Sequence, residues 1–303
     1  MNRIVNVNKP KGLTSFGVVK ELKKFCNIKK VGHLGTLDPL ATGVLPVFIG
    51  KATKLIPLFD KLDKEYRATF KLGEQTDTFD TEGKITKTAH IGHLTCEQIE
   101  RCVSKYQGVQ KQLTPVFSAV KYNGVPGYRL ARAGKAIERK SRVIHIESIC
   151  IESIKLPFVA VRVKCSKGTY IRSLVDDIGQ ELGIGAHLVE LERVAVGSCF
   201  SLSNACQLEE LKQFGEHDNF PFYINPVDVL NDLKTITVTD KEQNQLIHGQ
   251  PIAIDADLFS FPCHDEGTNN LVKAINSQNL LIAIGRVVVQ NKSCQFNPSK
   301  IFV

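Results

Sequence analysis

The chain contains no Cys-x-x-Cys pair, although nine cysteines are scattered through its 303 residues, at positions 26, 96, 102, 150, 165, 199, 206, 263 and 294. An odd set without paired spacing argues against both a disulfide framework and a zinc ribbon, and it fits a reducing cytoplasm. No apolar run approaches the roughly 18 residues of a membrane helix, and the opening Met-Asn-Arg-Ile-Val-Asn-Val-Asn-Lys-Pro lacks an apolar signal core. A soluble, unprocessed protein with no membrane association is expected. Nucleotide signatures are missing too. No Gly-x-Gly-x-x-Gly follows the first strand, and Gly43 to Lys51 fails as a phosphate loop because Leu45 and Ala52 stand where Gly and Ser or Thr are needed. His90-Ile-Gly-His93 and Cys263-His264-Asp265 are the nearest approach to a metal set, yet neither has ligand spacing, so surface or loop histidines are the better reading. There is no internal repeat and no low-complexity tract.

The length is enough for two domains, and 43% hydrophobic residues suffice for sizeable cores. The net charge of +8 is unevenly distributed. Residues 1–40 hold eight Lys or Arg against two acids, and residues 129–142 hold six against one, while the rest of the chain is slightly acidic. Two basic concentrations are what two phosphate-facing surfaces require, although each alone is equally a solvated face.

Along the chain, a strand near Ile4–Val7 leads to a helix capped by Thr14 or Ser15, with Phe16, Val19, Leu22 and Phe25 at helical spacing. From Glu65 to Leu72 the pattern alternates, turning Tyr66, Ala68, Phe70 and Leu72 inward. Thr95-Cys-Glu-Gln98 is a capping box opening a helix to about Lys105, and residues 143–154 and 158–165 read as paired strands. A helix with Ile171, Leu174, Val175, Ile178 and Leu182 on one face ends at Gly183 and carries Arg172 near its start. The chain breaks around Phe220–Pro226. Beyond it lie strand-like segments at 251–254, 271–275 and 280–289, a Thr239-x-x-Glu242 capping box and a loose polar stretch from Cys263 to Asn270.

The most informative stretch is Gly32-His-Leu-Gly-Thr-Leu-Asp-Pro-Leu-Ala-Thr-Gly43, which sets one carboxylate, Asp38, in a glycine-punctuated turn. Glycines 32, 35 and 43 permit backbone geometries that other residues avoid, so the loop is shaped to present Asp38 and with it His33. The alternative is an Asx-type turn whose Asp only satisfies backbone donors. Tyr66 is likewise either a pocket aromatic or a core tyrosine, and Arg172 either a partner for a buried carboxylate or a surface arginine pairing with Asp176.

Ordered motifs decide between these readings. Lys9-Pro-Lys-Gly-Leu-Thr-Ser15, the Gly32–Leu45 stretch, Gly50-Lys-Ala-Thr-Lys54, Lys64-Glu-Tyr-Arg67, Gly73-Glu-Gln-Thr-Asp-Thr78, Ser118-Ala-Val-Lys121, Ser166-Lys-Gly-Thr-Tyr-Ile-Arg172 and Gly185-Ala-His187 resemble, in order, the motifs of the TruB family of tRNA pseudouridine synthases. The resemblance implies an α+β catalytic domain over residues 1–225, on a large mixed, mostly antiparallel sheet, and a small β-rich PUA-like RNA-binding domain over 226–303. It implies isomerisation of uridine 55 in the tRNA T-loop to pseudouridine, with no cofactor and no metal. Asp38 would be the catalytic aspartate, Arg172 its partner and Tyr66 the ring that stacks on the flipped uracil, with His33, Tyr170 and Leu191 also at the substrate. A thumb-like insertion at about 121–145 would grip the T-loop through Arg129, Arg132, Lys135, Arg139, Lys140 and Arg142. Its presence implies a stand-alone enzyme that needs no guide RNA, and with no obligate dimer seam in the sequence a monomer is expected. The rival readings are a non-catalytic tRNA folding chaperone and a guide-dependent rRNA enzyme. Two departures from the family pattern stand out: Gln112-Leu-Thr-Pro115 replaces the usual Gln-x-Pro-Pro, and Glu192 occupies a commonly basic position, weakening an RNA contact near Leu191.

Overall fold

The computed structural model describes residues 2–25, 27–117, 121–122, 124–127, 130, 133, 139–214, 221–254, 271–290 and 293–303. The central element is an eleven-stranded sheet. Its main strands run in the order Cys206–Gln207, Arg3–Lys9, Thr42–Ile49, Ala186–Val196, Lys64–Leu72, Phe158–Cys165, Ser141–Lys155 and Gly108–Leu113. Two junctions are parallel, Cys206–Gln207 with Arg3–Lys9 and Ala186–Val196 with Thr42–Ile49, and the remaining neighbours in this order pair antiparallel. The α+β class and the mixed, mostly antiparallel sheet are therefore as expected.

The alternation of Lys64–Leu72 divides the sheet into two faces. Tyr66, Ala68, Phe70 and Leu72 enter the main core, where three helices cover them: Ser15–Phe25, Cys96–Ser104 and Ile171–Glu181. The second of these begins at the expected capping box, with the Thr95 hydroxyl accepting from the Gln98 N–H and the Gln98 side chain accepting from Thr95 N–H. On the opposite face the outward residues form a charge ladder across four strands. Arg67 pairs with Glu152 at 3.0 Å and Glu192 at 3.2 Å, Arg162 with Glu65 and Glu152 at 2.9 Å each, and Lys164 with Glu147 at 2.8 Å. Such exposed cross-strand pairs each contribute about 1 kcal/mol or less, so their main effect is to keep this face wet.

A second sheet, in the order Lys234–Thr237, Leu271–Ile275, Leu281–Gln290, Ser293–Ile301 and Ile252–Ile254, is filled from within by Ile236, Leu246, Val272, Ile282 and Phe296. Leu246 comes from the helix Asp240–Ile247, opened by the Thr239–Glu242 capping box. This sheet meets the first through Leu281, Ile284 and Phe302, which pack with Ile4, Phe48, Phe59 and Phe200. The segment 256–270, including Cys263, His264 and Asp265, lies outside the described residues.

Two expectations need correction. Phe16 is 67% exposed, whereas Val18, Val19 and Leu22 form the buried stripe of its helix. The rotation follows from Ser15, whose buried hydroxyl is fixed by Leu37, while Thr14 supplies the cap by accepting from Gly17 N–H. Among the loop glycines, Gly35 and Gly43 have positive φ and Gly32 does not.

Candidate active site

The loop between Gly32 and Gly43 is held from three sides. Ser15 Oγ accepts from Leu37 N–H at 2.8 Å and contacts its carbonyl at 3.1 Å, tying the loop to the first helix. Gly12 N–H donates to the Pro39 carbonyl at 2.8 Å. From below, the fully buried Lys9 donates its ammonium to the carbonyls of Leu13, Pro10 and Pro39, at 2.6, 2.9 and 3.3 Å. Burial lowers the Lys9 pKa to about 8, with Asp38 pulling it upward and Arg193 pushing it down.

These supports leave the Asp38 carboxylate 34% exposed, beside Arg172, which is 5% exposed; Arg172 Nε lies 2.8 Å from Asp38 Oδ2. The Nε–H is not aligned for a hydrogen bond, so the contact is one of charge. The rest of the guanidinium is fixed elsewhere. Nη1 donates to the Thr78 carbonyl at 3.1 Å and sits 3.2 Å from Asp80 Oδ2, while Nη2 donates to the Phe117 carbonyl at 2.9 Å. Buried Asp80 is in turn oriented by the Thr78 hydroxyl at 2.5 Å and Glu82 N–H at 3.1 Å. Arg172 thus stands in place without a substrate, between one reachable carboxylate and one buried carboxylate. Asp176 takes no part, being bound by Gln75 and Gln180.

Arg172 is the second residue of its helix, and the start of that helix is set by Gln112. Tyr170 precedes the helix without a side-chain cap. Gln112 Oε1 accepts from Tyr170 N–H at 2.8 Å, and its amide donates to the Tyr170 carbonyl at 3.0 Å. The Arg142 guanidinium lies 5.4 Å from the Tyr170 ring centroid and donates to the Gly168 carbonyl.

Tyr66 is buried on the same sheet face, and burial raises its pKa. Opposite it on the neighbouring strand is Arg193, 1% exposed, whose charge opposes the effect of burial on the Tyr66 hydroxyl. Arg193 also donates to the carbonyls of Val44, Gly35 and Leu34, at 2.7, 3.0 and 3.4 Å. Its charge joins burial in lowering the pKa of His33, which ends the short strand Val31–His33 leading into the loop, and that of Lys64. Leu191 is buried two residues before Arg193, cross-strand from Ala68, and it borders a cavity of about 300 Å³ that is lined also by Lys11, Leu40 and Thr42 and by the ladder-side residues Arg67, Thr69, Glu190 and Glu192. Among the described residues, Asp38, Tyr66 and Arg172 do not line that cavity. Glu192 points to the opposite face, into the charge ladder with Arg67.

Of the six basic residues expected in the thumb, Arg129, Arg132 and Lys135 lie outside the described residues. Arg139 donates to the carbonyls of Thr114 and Leu113 and lies over Phe79, and Lys140 lies over Tyr122. Sequence reasoning missed Asp80, Lys9 and Arg193. Lys9 stood in the first motif without a role, and Arg193 left a trace as a charge at an inward position of its strand. No helix among the described residues is long and apolar enough to cross a membrane, and no three His, Cys, Asp or Glu residues gather as metal ligands.

Comparison with known proteins agrees with the site. Residues 23–171 match the model for the TruB family pseudouridylate synthase N-terminal domain, and residues 172–230 that for the tRNA pseudouridylate synthase B C-terminal domain. A Clostridium novyi (strain NT) protein named tRNA pseudouridine synthase B is 48% identical over 250 residues, 82% of this chain and 84% of its own length. The protein of that name from Geobacter sulfurreducens is 43% identical over 252 residues, 83% of each. A solved Cbf5-Nop10-Gar1 complex contains a chain of similar fold, with a TM-score of 0.72 at 26% identity, covering 99% of this chain and 85% of that one.

Proposed function

Because the chain belongs to the TruB family of pseudouridylate synthases and is an isomerase that makes pseudouridine in tRNA, we propose that its target is uridine 55 of the T-loop and that Asp38 initiates the reaction. The observation that carries this reading is the Asp38–Arg172 contact at 2.8 Å, with the carboxylate open to solvent and the guanidinium not. Detaching uracil from C1′ and reattaching it through C5 needs an ionised carboxylate. It attacks C6 of the base or C1′ of the ribose, or removes a ribose proton to give a glycal. Arg172 supplies the counter-charge, and because Asp80, Thr78 and Phe117 hold it, no reorganisation is needed when RNA arrives.

A uridine stacked inside a folded loop is out of reach of Asp38, so the nucleotide flips out at a cost of about a few kcal/mol, offset by stacking and pocket contacts. Tyr66 provides the aromatic face, Leu191 the apolar wall beside it, and His33 and Tyr170 the rim. The segment 121–145 acts as a thumb on the T-loop. Arg139 and Arg142 anchor its root to the core carbonyls, and their remaining N–H groups, with Lys140, Arg129, Arg132 and Lys135, meet phosphates. The five-stranded sheet within residues 226–303 serves as a PUA-like RNA-binding unit. The enzyme works in the cytoplasm as a monomer without guide RNA; the 43–48% identity to relatives named tRNA pseudouridine synthase B, against 26% to the Cbf5 chain, supports the absence of a guide.

The test is tritium release from C5-labelled uridine in a T-arm hairpin. Wild-type protein is expected to release it without added proteins, and Asp38→Ala to abolish release while hairpin binding persists. Full turnover by Asp38→Ala would sink the assignment, and a need for accessory proteins would favour the guide-dependent class.

A further inference from the structure

Arg193 is a buried cation for which no carboxylate partner is found among the described residues. Burying an unpaired charge is unfavourable, so an arginine in a core strand calls for a reason in what it touches. What it touches is specific. Its donors reach the carbonyls of Leu34 and Gly35, where the catalytic loop leaves its first stem, and of Val44, where the second stem begins, while Tyr66 stands directly opposite it on the adjacent strand. One planar group thus ties both ends of the Asp38 loop to the strand position that faces the stacking tyrosine.

Two loop glycines are fitted to the same residue, one to its side chain and one to its backbone. A β-carbon at Gly35 would lie 3.0 Å from Arg193 Nη1, and one at Gly43 would lie 2.3 Å from the Arg193 carbonyl oxygen. Gly35 is therefore a fit to the arginine itself, 158 residues away in the chain.

We propose that Arg193 is a positioning residue of the reaction: it holds the Tyr66 ring and the Asp38 loop at the mutual spacing that lets one uracil meet both. This rests on the assignment of Asp38 and Tyr66 above. Lysine at this position keeps the charge but, lacking the planar fork, cannot reach the three carbonyls together.

The test compares Arg193→Lys with wild type on the labelled T-arm hairpin, with circular dichroism confirming the fold. Arg193→Lys is expected to lower kcat by about tenfold to a hundredfold with KM little changed, as a displacement near 1 Å produces. A folded Arg193→Lys with wild-type kcat, or one whose loss falls on KM with kcat unchanged, would overturn the proposal. So would an Arg193→Lys that does not fold, because the arginine then serves the fold alone. If wild-type protein releases no tritium, the reaction assignment fails instead; if it does and Arg193→Lys matches it, only the positioning role is lost.

Discussion

Replacing Gly43 by alanine tests how closely the loop's second stem is fitted to its neighbour. Gly43 has φ +98° and pairs with Arg193 in the parallel junction of the sheet, where a β-carbon would stand 2.3 Å from the Arg193 carbonyl oxygen and 2.9 Å from its nitrogen. A relaxed carbon–oxygen contact is about 3.3 Å, so the strands must part by roughly 1 Å. Left-handed backbone costs an L-residue about 1–3 kcal/mol, overpacking about 1–3 kcal/mol more, and the stiffer unfolded chain offsets about 0.4–1 kcal/mol. The net expectation is about 3 kcal/mol. Gly108 provides the control, with φ +105° and no atom within 4 Å of its would-be β-carbon. There only the backbone cost remains, about 1 kcal/mol. With a urea slope of about 3 kcal/mol per molar, the midpoint should fall by about 1 M for Gly43→Ala and about 0.3 M for Gly108→Ala. Equal shifts for the two variants would refute the claim that close approach to Arg193, rather than φ, demands glycine at 43.

Lys9 titrates at about 8 in the fold against 10.5 in the unfolded chain, so between these values the unfolded state binds more protons and the native state gains stability as pH rises. From pH 7 to 9.5 this amounts to about 2 kcal/mol, measurable as a narrowing or widening gap between wild type and Lys9→Met in urea titrations; a gap independent of pH would contradict it. Lys140→Ala is expected to weaken T-arm binding and to flatten the plot of log affinity against log salt by about 0.7–0.9, and an unchanged slope would remove Lys140 from the RNA interface.

Local physics made much of the fold legible. Strict alternation from Glu65 to Leu72 identified the strand that carries Tyr66 inward, and both capping boxes marked helix starts. Ser293–Ile301 was hidden because it is polar and contains Pro298, which the sheet accommodates beside a register shift. At the site, Asp38 and Arg172 were visible through their motifs. Asp80, Lys9 and Arg193 were not, because each matters through partners that only the folded chain brings near: Asp80 through Arg172, Lys9 through Pro39 and Arg193 through Gly35. A buried cation among hydrophobic neighbours is silent in a periodicity pattern, which registers it as one misplaced polar residue.

The charge ladder gives the molecule an orientation. Its three cations, Arg67, Arg162 and Lys164, are answered by four acids, Glu65, Glu147, Glu152 and Glu192, so the ladder itself offers a polyanion no surplus positive charge. The strands that carry Tyr66 and Arg193 on one surface carry these acids on the other. The two surfaces of the same strands thus differ in kind, one held by buried cations on backbone carbonyls and the other by paired charges in water, and Glu192, which looked from sequence like a lost RNA contact, is engaged by Arg67.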